Sequence, residues 1–251
     1  MRFNVVATDF DGTLAHAGQV ETSTLKAIER LRASGRHAIL VTGREIENLK
    51  RIFSRLDLFE VVVAENGAVL YYPATDTIRP LHKQLPGQFV TELRHRGTPV
   101  SVGHVIVSTR EPHDLVILDV IKDLGLELEI IFNKGAVMVL PSGVNKATGL
   151  ETALGEKGLQ RERTVAIADA ENDHALLRFC GCAVAVSNAL PSLKKAAHFV
   201  TISPHGLGVV ELIDRLIATD LAELVPPSAA QSSDDPDVLL PGLGMRAGEA
   251  P

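Results

Sequence analysis

Val5-Val6-Ala7-Thr8-Asp9-Phe10-Asp11-Gly12-Thr13-Leu14 is the stretch whose reading decides the fold. A short apolar run ends in two carboxylates one residue apart, followed by a glycine. Continuous apolar runs of this kind form buried parallel strands, and open α/β sheets place their ligand crevice at the carboxyl ends of such strands. Asp9 is therefore expected where chemistry is done. Alternation along extended chain sends Asp9 and Asp11 to the same side. Like charges that close raise each other's pKa unless a cation or a proton separates them. The pattern asks for a metal ion, for general acid/base work, or for both. The alternative is a strand-end Asp followed by a solvated Asp-Gly turn, and the rest of the chain has to decide between them.

The chain of 251 residues suffices for one α/β domain with an insertion or for two small domains. Its 45% hydrophobic and 22% charged residues are ordinary for a soluble globular protein. A net charge of −6 argues against nucleic acid or an anionic membrane as the main partner. The apolar start is too short for a signal segment or a spanning helix. Cys180 and Cys182, one residue apart at a helix-to-strand passage, point apart and have no other thiol to join. Two reduced, buried thiols in a cytoplasmic protein are expected.

Strand and helix signals alternate along the chain. After the opening strand and an irregular loop over 10–20, Thr22 or Ser23 caps a helix carrying Leu25, Ile28 and Leu31, with Gly35 as its stop. A second strand over 37–41 ends in Thr42-Gly43-Arg44. A helix with Ile46, Leu49, Ile52 and Phe53 inward follows, then a third strand over 59–64. Asn66-Gly67 is a strong hairpin signal, with 68–72 returning as the partner strand. From Leu81 to Ser142 the rhythm changes. The pattern predicts a helix over 88–95, a hairpin about Gly103, a helix from Pro112 with Leu115, Leu118, Ile121 and Leu124 inward, and two strands about Asn133-Lys134-Gly135. This reads as helices against a small antiparallel sheet, inserted into the series. Strand–helix alternation then resumes to residue 224, with Asp169 ending the strand over 164–168. The prediction is an α/β fold: a doubly wound parallel-sheet core over 1–80 and 143–224 with right-handed crossovers, and a small α+β unit over 81–142. Residues 225–251 read as a disordered tail or linker.

Four strand ends now carry polar groups able to meet at one sheet edge. These are Asp9 with Asp11, Thr42-Gly43-Arg44, Glu65-Asn66, and Asp169 with Asn172 and Asp173. Lys146, at the start of a helix after the inserted unit, adds a fifth contribution. Asp9 and Asp169 with a backbone carbonyl from the turn suit a hard cation such as Mg²⁺. Thr42, the Gly43 amide, Lys146 and Asn172 are donors suited to a phosphoryl group. Phosphoryl transfer is mostly positioning and charge neutralisation. A carboxylate beside the metal can attack phosphorus, and a second can protonate the leaving oxygen and then activate water.

At these residues the sequence resembles the haloacid dehalogenase superfamily of phosphohydrolases. Asp9-Phe10-Asp11-Gly12-Thr13 matches the first motif of that family, Val41-Thr42-Gly43-Arg44 the second, Lys146 the third and Asp169-Ala170-Glu171-Asn172-Asp173 the fourth. Glu65-Asn66-Gly67-Ala68 and Val184-Ala185-Val186-Ser187-Asn188-Ala189 are similar to subclass IIB, whose type-2 cap is inserted between motifs two and three. The resemblance spans 4–216. It implies a Mg²⁺-dependent phosphatase acting through an aspartyl phosphate on a small phosphorylated metabolite such as a sugar phosphate or phosphoglycolate, as monomer or homodimer, with the inserted unit closing over the site. It implies Asp9 as nucleophile and metal ligand, and Asp11 as general acid/base giving the metal its backbone carbonyl. Phe10, Thr42, Gly43, Arg44, Lys146 and Asn172 would contact phosphate or substrate, and Asp169 the Mg²⁺. Asp173 would orient Lys146 from behind, with Asn66 flanking the site. A phosphomutase sharing the same core residues, or a non-catalytic sensor of a phosphorylated ligand, is the alternative; a nucleotide-driven pump is excluded by Asp11 where those relatives carry Thr. One departure stands out: Ala168-Asp169-Ala170 replaces Gly-Asp-Gly, and alanine would be strained wherever φ > 0 is needed. Lys134 is expected either on the substrate's own anionic group or in solvent, and the histidines are expected on surfaces and loops.

Overall fold

β1 (Val5–Asp9) is buried along its whole length, with β2 (His37–Val41) on one side and β10 (Thr164–Ala168) on the other. The computed structural model describes residues 1–224. In chain order the remaining elements are α1 (Thr22–Ala33), α2 (Ile46–Ile52), β3 (Val61–Ala64), β4 (Val69–Tyr72), β5 (Thr77–Pro80), α3 (Gly87–His95), β6 (Ser101–Val102), β7 (Val107–Arg110), α4 (Asp114–Asp123), β8 (Leu128–Asn133), β9 (Ala136–Pro141), α5 (Lys146–Lys157), α6 (His174–Phe179), β11 (Cys182–Ala185), α7 (Pro191–Ala196), β12 (Phe199–Val200) and α8 (His205–Thr219). The large sheet runs β12-β11-β10-β1-β2-β3-β4-β5; the pairings from β12 to β3 are parallel, and the last two are antiparallel. α1 packs on α8, while α5 and α7 pack on α6. The apolar Val and Ile runs of the central strands are therefore covered on both faces, the arrangement that all-parallel strands require.

The chain leaves β1 towards β2 and β3 on one side and later fills β10, β11 and β12 on the other. The reversal of strand order lies between β1 and β10, where such sheets form their crevice. Asp9 pairs in register with Val41, and Thr8 with Ile167. The ends of three neighbouring strands therefore present Asp9, Thr42 and Asp169 side by side.

Residues between β5 and α5 build a second, four-stranded antiparallel sheet, β6-β7-β9-β8. Strand alternation divides β9 between two cores. Val137 and Val139 join Phe89, Leu93, Val107, Ile117 and Val120 in a small cluster under α3 and α4, whereas Met138 and Leu140 join the main core. The small sheet thus lies with one face on its own helices and the other on the large sheet's end.

Several expectations change. Glu21, not Thr22 or Ser23, precedes α1 and no side chain caps it, and Ile52 of α2 faces outward. α4 buries Ile117, Val120 and Ile121, leaving Leu115 and Leu118 at 68% and 54% exposure. Apolar residues run almost unbroken over 115–118, so two helical stripes overlap there and packing, not periodicity, selected the face. β5, a short and mostly exposed edge strand ending in Pro80, lacked the apolar run that announces a strand. Neither Ala168 nor Ala170 has a positive φ, and Ala170 is extended at φ −125°, so alanine there carries no backbone strain. The hairpin at Asn66-Gly67 is present as β3 and β4, and both cysteines are free and buried. Burial pushes the Cys182 thiol up to about 11. The tail predicted over 225–251 lies outside the described residues.

Candidate active site

The strand of β1 stops at Asp9, and a tight turn follows. Leu14 N–H donates to the Asp9 carbonyl at 3.2 Å, Ala15 N–H to that of Phe10 at 2.8 Å, and Gly12 N–H to that of Ala15 at 2.9 Å. Gly12 has φ +92°, and a Cβ there would collide with Lys134 Nζ and the Asp169 carboxylate, so only glycine lets the turn pass. The turn ends the extended alternation on which a shared direction for Asp9 and Asp11 rested. Asp9 is buried, while the Asp11 carboxylate turns away to a bidentate pair with Arg44, at 2.6 Å from Nε and 2.7 Å from Nη2. The Asp11 backbone carbonyl instead faces the site. Phe10 sends its ring into the core against Phe53, 5.5 Å between centroids, so any ligand contact it makes runs through its backbone.

Lys146 reaches Asp9 from α5. Asn145 caps this helix by accepting from the Ala147 and Thr148 N–H groups at 3.0 and 3.2 Å, and Thr148 Oγ1 accepts in return from the Asn145 N–H at 3.1 Å. The first turn of α5 can approach the Glu65-Asn66-Gly67 turn because Gly67 and Gly149 meet backbone to backbone, where any Cβ would clash. Fully buried, Lys146 donates to Asp9 Oδ1 and to Asp173 Oδ1, each at 2.6 Å. The other Asp173 oxygen accepts the Ala170 N–H at 3.0 Å. Burial alone would strip the proton from Lys146, but Asp173 and Asp9 on either side hold its amine above the usual lysine range. Burial pushes the Asp9 carboxyl up to about 8; Lys146 opposes the shift, and Asp173 and Asp169 add to it.

Asp169 follows β10. Its Oδ1 accepts from Thr13 Oγ1 at 3.0 Å and its Oδ2 from Lys134 Nζ at 2.6 Å; the same ammonium donates to the Asp11 carbonyl at 2.7 Å. Thr42 is buried with Oγ1 accepting the Arg44 N–H at 3.1 Å, and its carbonyl accepts the Asn66 N–H at 3.0 Å. Asn172 Nδ2 donates to Asn66 Oδ1 at 2.9 Å, while Asn172 Oδ1 and Asn66 Nδ2 are buried without a partner among the described residues. Next to them, Gly43 has Met138 Sδ and Asn172 Nδ2 at 3.2 and 3.5 Å from where a Cβ would stand. A cavity of about 360 Å³ opens at this point, walled from the large sheet by Asp9, Asp11, Gly43 and Arg44 and from the small sheet by Lys134 and Met138.

The donor set suits a hard divalent cation. Asp9, Asp169 and Asp173 each bring a carboxylate oxygen within 4.8 Å of the others, and all three are buried. Asp169 Oδ2 and the Asp11 carbonyl already converge on one cation, the Lys134 ammonium. All these donors are oxygens, the choice of Mg²⁺.

Several contacts escaped the sequence analysis. Thr13 orients Asp169. Asn188 Nδ2 and His205 Nδ1 each approach the Gly12 carbonyl to 2.8 Å, and the His205 ring lies tilted against that of His16, 4.3 Å between centroids. The position of Thr13 beside the aspartates and the subclass-like segment around Asn188 hinted at their parts; nothing local marks His205. Glu65 is also more than a flank. Fully buried, it accepts N–H groups of His104, Val105 and Ile106 at 2.8, 2.9 and 3.1 Å and so grips the inserted unit. Glu45 accepts from Ser101 Oγ and Ser108 Oγ at 2.8 and 2.9 Å.

The profile of the haloacid dehalogenase-like hydrolases matches residues 6–102 and 101–213. The chain belongs to this family. Phosphoglycolate phosphatase 2 of Saccharolobus solfataricus is 28% identical over 88% of this chain and 95% of its own length. The phosphatase YitU of Bacillus subtilis, acting on 5-amino-6-(5-phospho-D-ribitylamino)uracil, is 24% identical over 83% of this chain and 96% of its own. A crystal structure from Thermoplasma acidophilum superposes with a TM-score of 0.72 at 18% identity, over 85% of this chain and 97% of that one. This haloacid dehalogenase-like hydrolase is an enzyme of the phosphoric monoester hydrolase class. No described helix is long and apolar enough to cross a membrane.

Proposed function

We propose that the protein hydrolyses a small phosphate monoester, of sugar phosphate or phosphoglycolate type, in a Mg²⁺-dependent reaction through an aspartyl phosphate on Asp9. The observation that carries this reading is the buried Asp9 carboxylate at the strand end, held by Lys146 at 2.6 Å, lining the cavity and within 4.8 Å of an Asp169 carboxylate oxygen.

Lys146 fixes Asp9 Oδ1, leaving Oδ2 to attack phosphorus while the bond to the leaving oxygen breaks. Asp11 gives that oxygen its proton. In the second half Asp11 takes a proton from water, the water oxygen bonds phosphorus, and the bond to Asp9 breaks. To do this Asp11 exchanges Arg44 for substrate, and both side chains stand 30% exposed at the cavity wall. Thr42, the Gly43 amide and Asn172 hold the phosphoryl oxygens. Asp9, Asp169 and the Asp11 carbonyl would hold Mg²⁺, which supplies neutralisation of the phosphoryl charge. Asp173, occupied on both oxygens, orients Lys146.

Residues 81–142 serve as a cap over the core of 1–80 and 143–224, excluding water and limiting the leaving group. The small cavity and the phosphatase relatives support a compact metabolite as substrate. The enzyme works in the cytoplasm, as monomer or homodimer. Phosphate release from a panel of sugar phosphates and phosphoglycolate, with Mg²⁺ titrated, tests the reading. Turnover that Asp9→Asn abolishes is expected; no release from any ester at any metal concentration overturns it.

A further inference from the structure

Lys134, from the small sheet, sends its side chain into the aspartate cluster. It stands at the tip of the β8–β9 hairpin, where Asn133 pairs with Ala136 and the two tip residues, Lys134 and Gly135, have φ +50° and +79°. Two successive left-handed residues make the tight turn that fits a hairpin's twist, so the Lys134 backbone is fixed by the strand register. Its ammonium lies 2.6 Å from Asp169 Oδ2 and 2.7 Å from the Asp11 carbonyl. These are two of the three donors assigned above to Mg²⁺. An ammonium and a divalent cation cannot share them, since both need the same lone pairs and repel each other at that range.

We propose that Lys134 is a tethered competitor of the divalent cation: the ammonium occupies the cation's oxygens when the small sheet is docked, and loading the cation requires it to withdraw. Metal loading and hairpin docking are thereby coupled. The side chain is suited to exchange. It is 45% exposed, against 3% for Asp169, and it lines both the cavity at Asp9 and a neighbouring one walled by His16, Gly18 and His205. Withdrawal therefore needs only rotation about its own side-chain bonds into open space, and it releases the hairpin tip from its two contacts with the aspartate cluster. Lys146 lacks that freedom, being enclosed between two carboxylates. Coupling is reciprocal, so a cation that expels Lys134 loosens the hairpin by the same factor by which Lys134 weakens the cation.

The inference rests on the assignment of Asp9, Asp169 and the Asp11 carbonyl to a divalent cation, and its test does not require turnover. Mn²⁺ and Mg²⁺ are titrated calorimetrically into the full chain, its Lys134→Met variant and its Lys134→Arg variant, with circular dichroism confirming the fold. K134M is expected to bind Mn²⁺ roughly tenfold more tightly than the parent, and K134R to stay near it. Hydrogen exchange supplies the second readout: adding Mn²⁺ should speed exchange over 132–137 in the parent and leave K134M unchanged. Equal affinities in parent and K134M, or exchange over 132–137 that Mn²⁺ does not alter in the parent, overturn the competition and leave the metal assignment standing. Binding by neither protein overturns both.

Discussion

Lys146 and Lys134 approach the same aspartates from opposite sides and are held in opposite ways. Lys146 starts a capped helix of the core, is fully buried, and sits between two carboxylates at 2.6 Å each. Lys134 tips a hairpin of the inserted unit, half exposed, on one carboxylate and one carbonyl. A buried ion pair cannot be broken without leaving an uncompensated charge in a low dielectric, whereas a half-exposed ammonium can return to water at small cost. The core half of the site is thus preformed, whereas Lys134, the inserted unit's contribution to the aspartates, is held by exchangeable contacts.

That contrast can be broken or sharpened by substitution. The largest effect is expected from Asp9→Asn, which removes the nucleophile while keeping shape. Phosphate release should fall by ~10³-fold or more with little change in the urea midpoint. Lys146→Met comes next. It strands Asp173 as a buried carboxylate and takes from Asp9 its buried donor, and should cost about 3–5 kcal/mol in urea unfolding besides activity; a loss as small as that of Lys134→Met would erase the distinction between the two lysines. Glu65→Ala removes the acceptor of the buried Val105 and Ile106 N–H groups and of the part-buried His104 N–H, which should cost about 1–3 kcal/mol and speed hydrogen exchange over 103–107 ahead of the core strands.

A pH test isolates the aspartates. In the metal-free protein Asp9 is pushed up to about 8 by burial, against an ordinary 3.8 when unfolded. The fold therefore binds a proton that the unfolded chain has released. Asp9's contribution to stability, read as the difference between the parent and Asp9→Asn, should fall as pH rises from about 4 towards 8, since its unfolded carboxyl has lost the proton there, and Mg²⁺ should flatten that slope. A parent-minus-variant difference that rises over this range without metal would contradict the burial assigned to Asp9. The smallest effect is expected at Glu45→Ala, which removes the exposed clasp to Ser101 and Ser108. Stability should change by less than about 1 kcal/mol, with KM rising and kcat nearly unchanged if the contact serves only to seat the small sheet.

Much of this was legible before the structure. The run from Val5 to Asp9 declared a buried strand, Asn66-Gly67 a hairpin, and the polar residues after each strand a common edge. The changed rhythm at Leu81 announced an antiparallel insertion. What stayed hidden lies where local pattern is silent. The β5 strand is too short and exposed to show alternation, and α4 carries two overlapping apolar stripes with nothing local to choose between them. The concern over Ala168 and Ala170 depended on backbone angles, which residue types do not state.

Within the site the same division holds. Which chemical groups stand at which strand ends follows from the order of residues, because hydrophobic runs and their polar stops are local properties of the chain. Only the tertiary structure decided how those groups are aimed. Asp11 reached Arg44 because the chain turns at Gly12, and Asp9 met Lys146 because Gly67 and Gly149 let a helix approach from 137 residues away. Lys134 reached Asp169 because an inserted sheet docks on the end of another. Side-chain direction is set by turns and by long-range packing, and neither is encoded in the spacing of the residues that carry the chemistry.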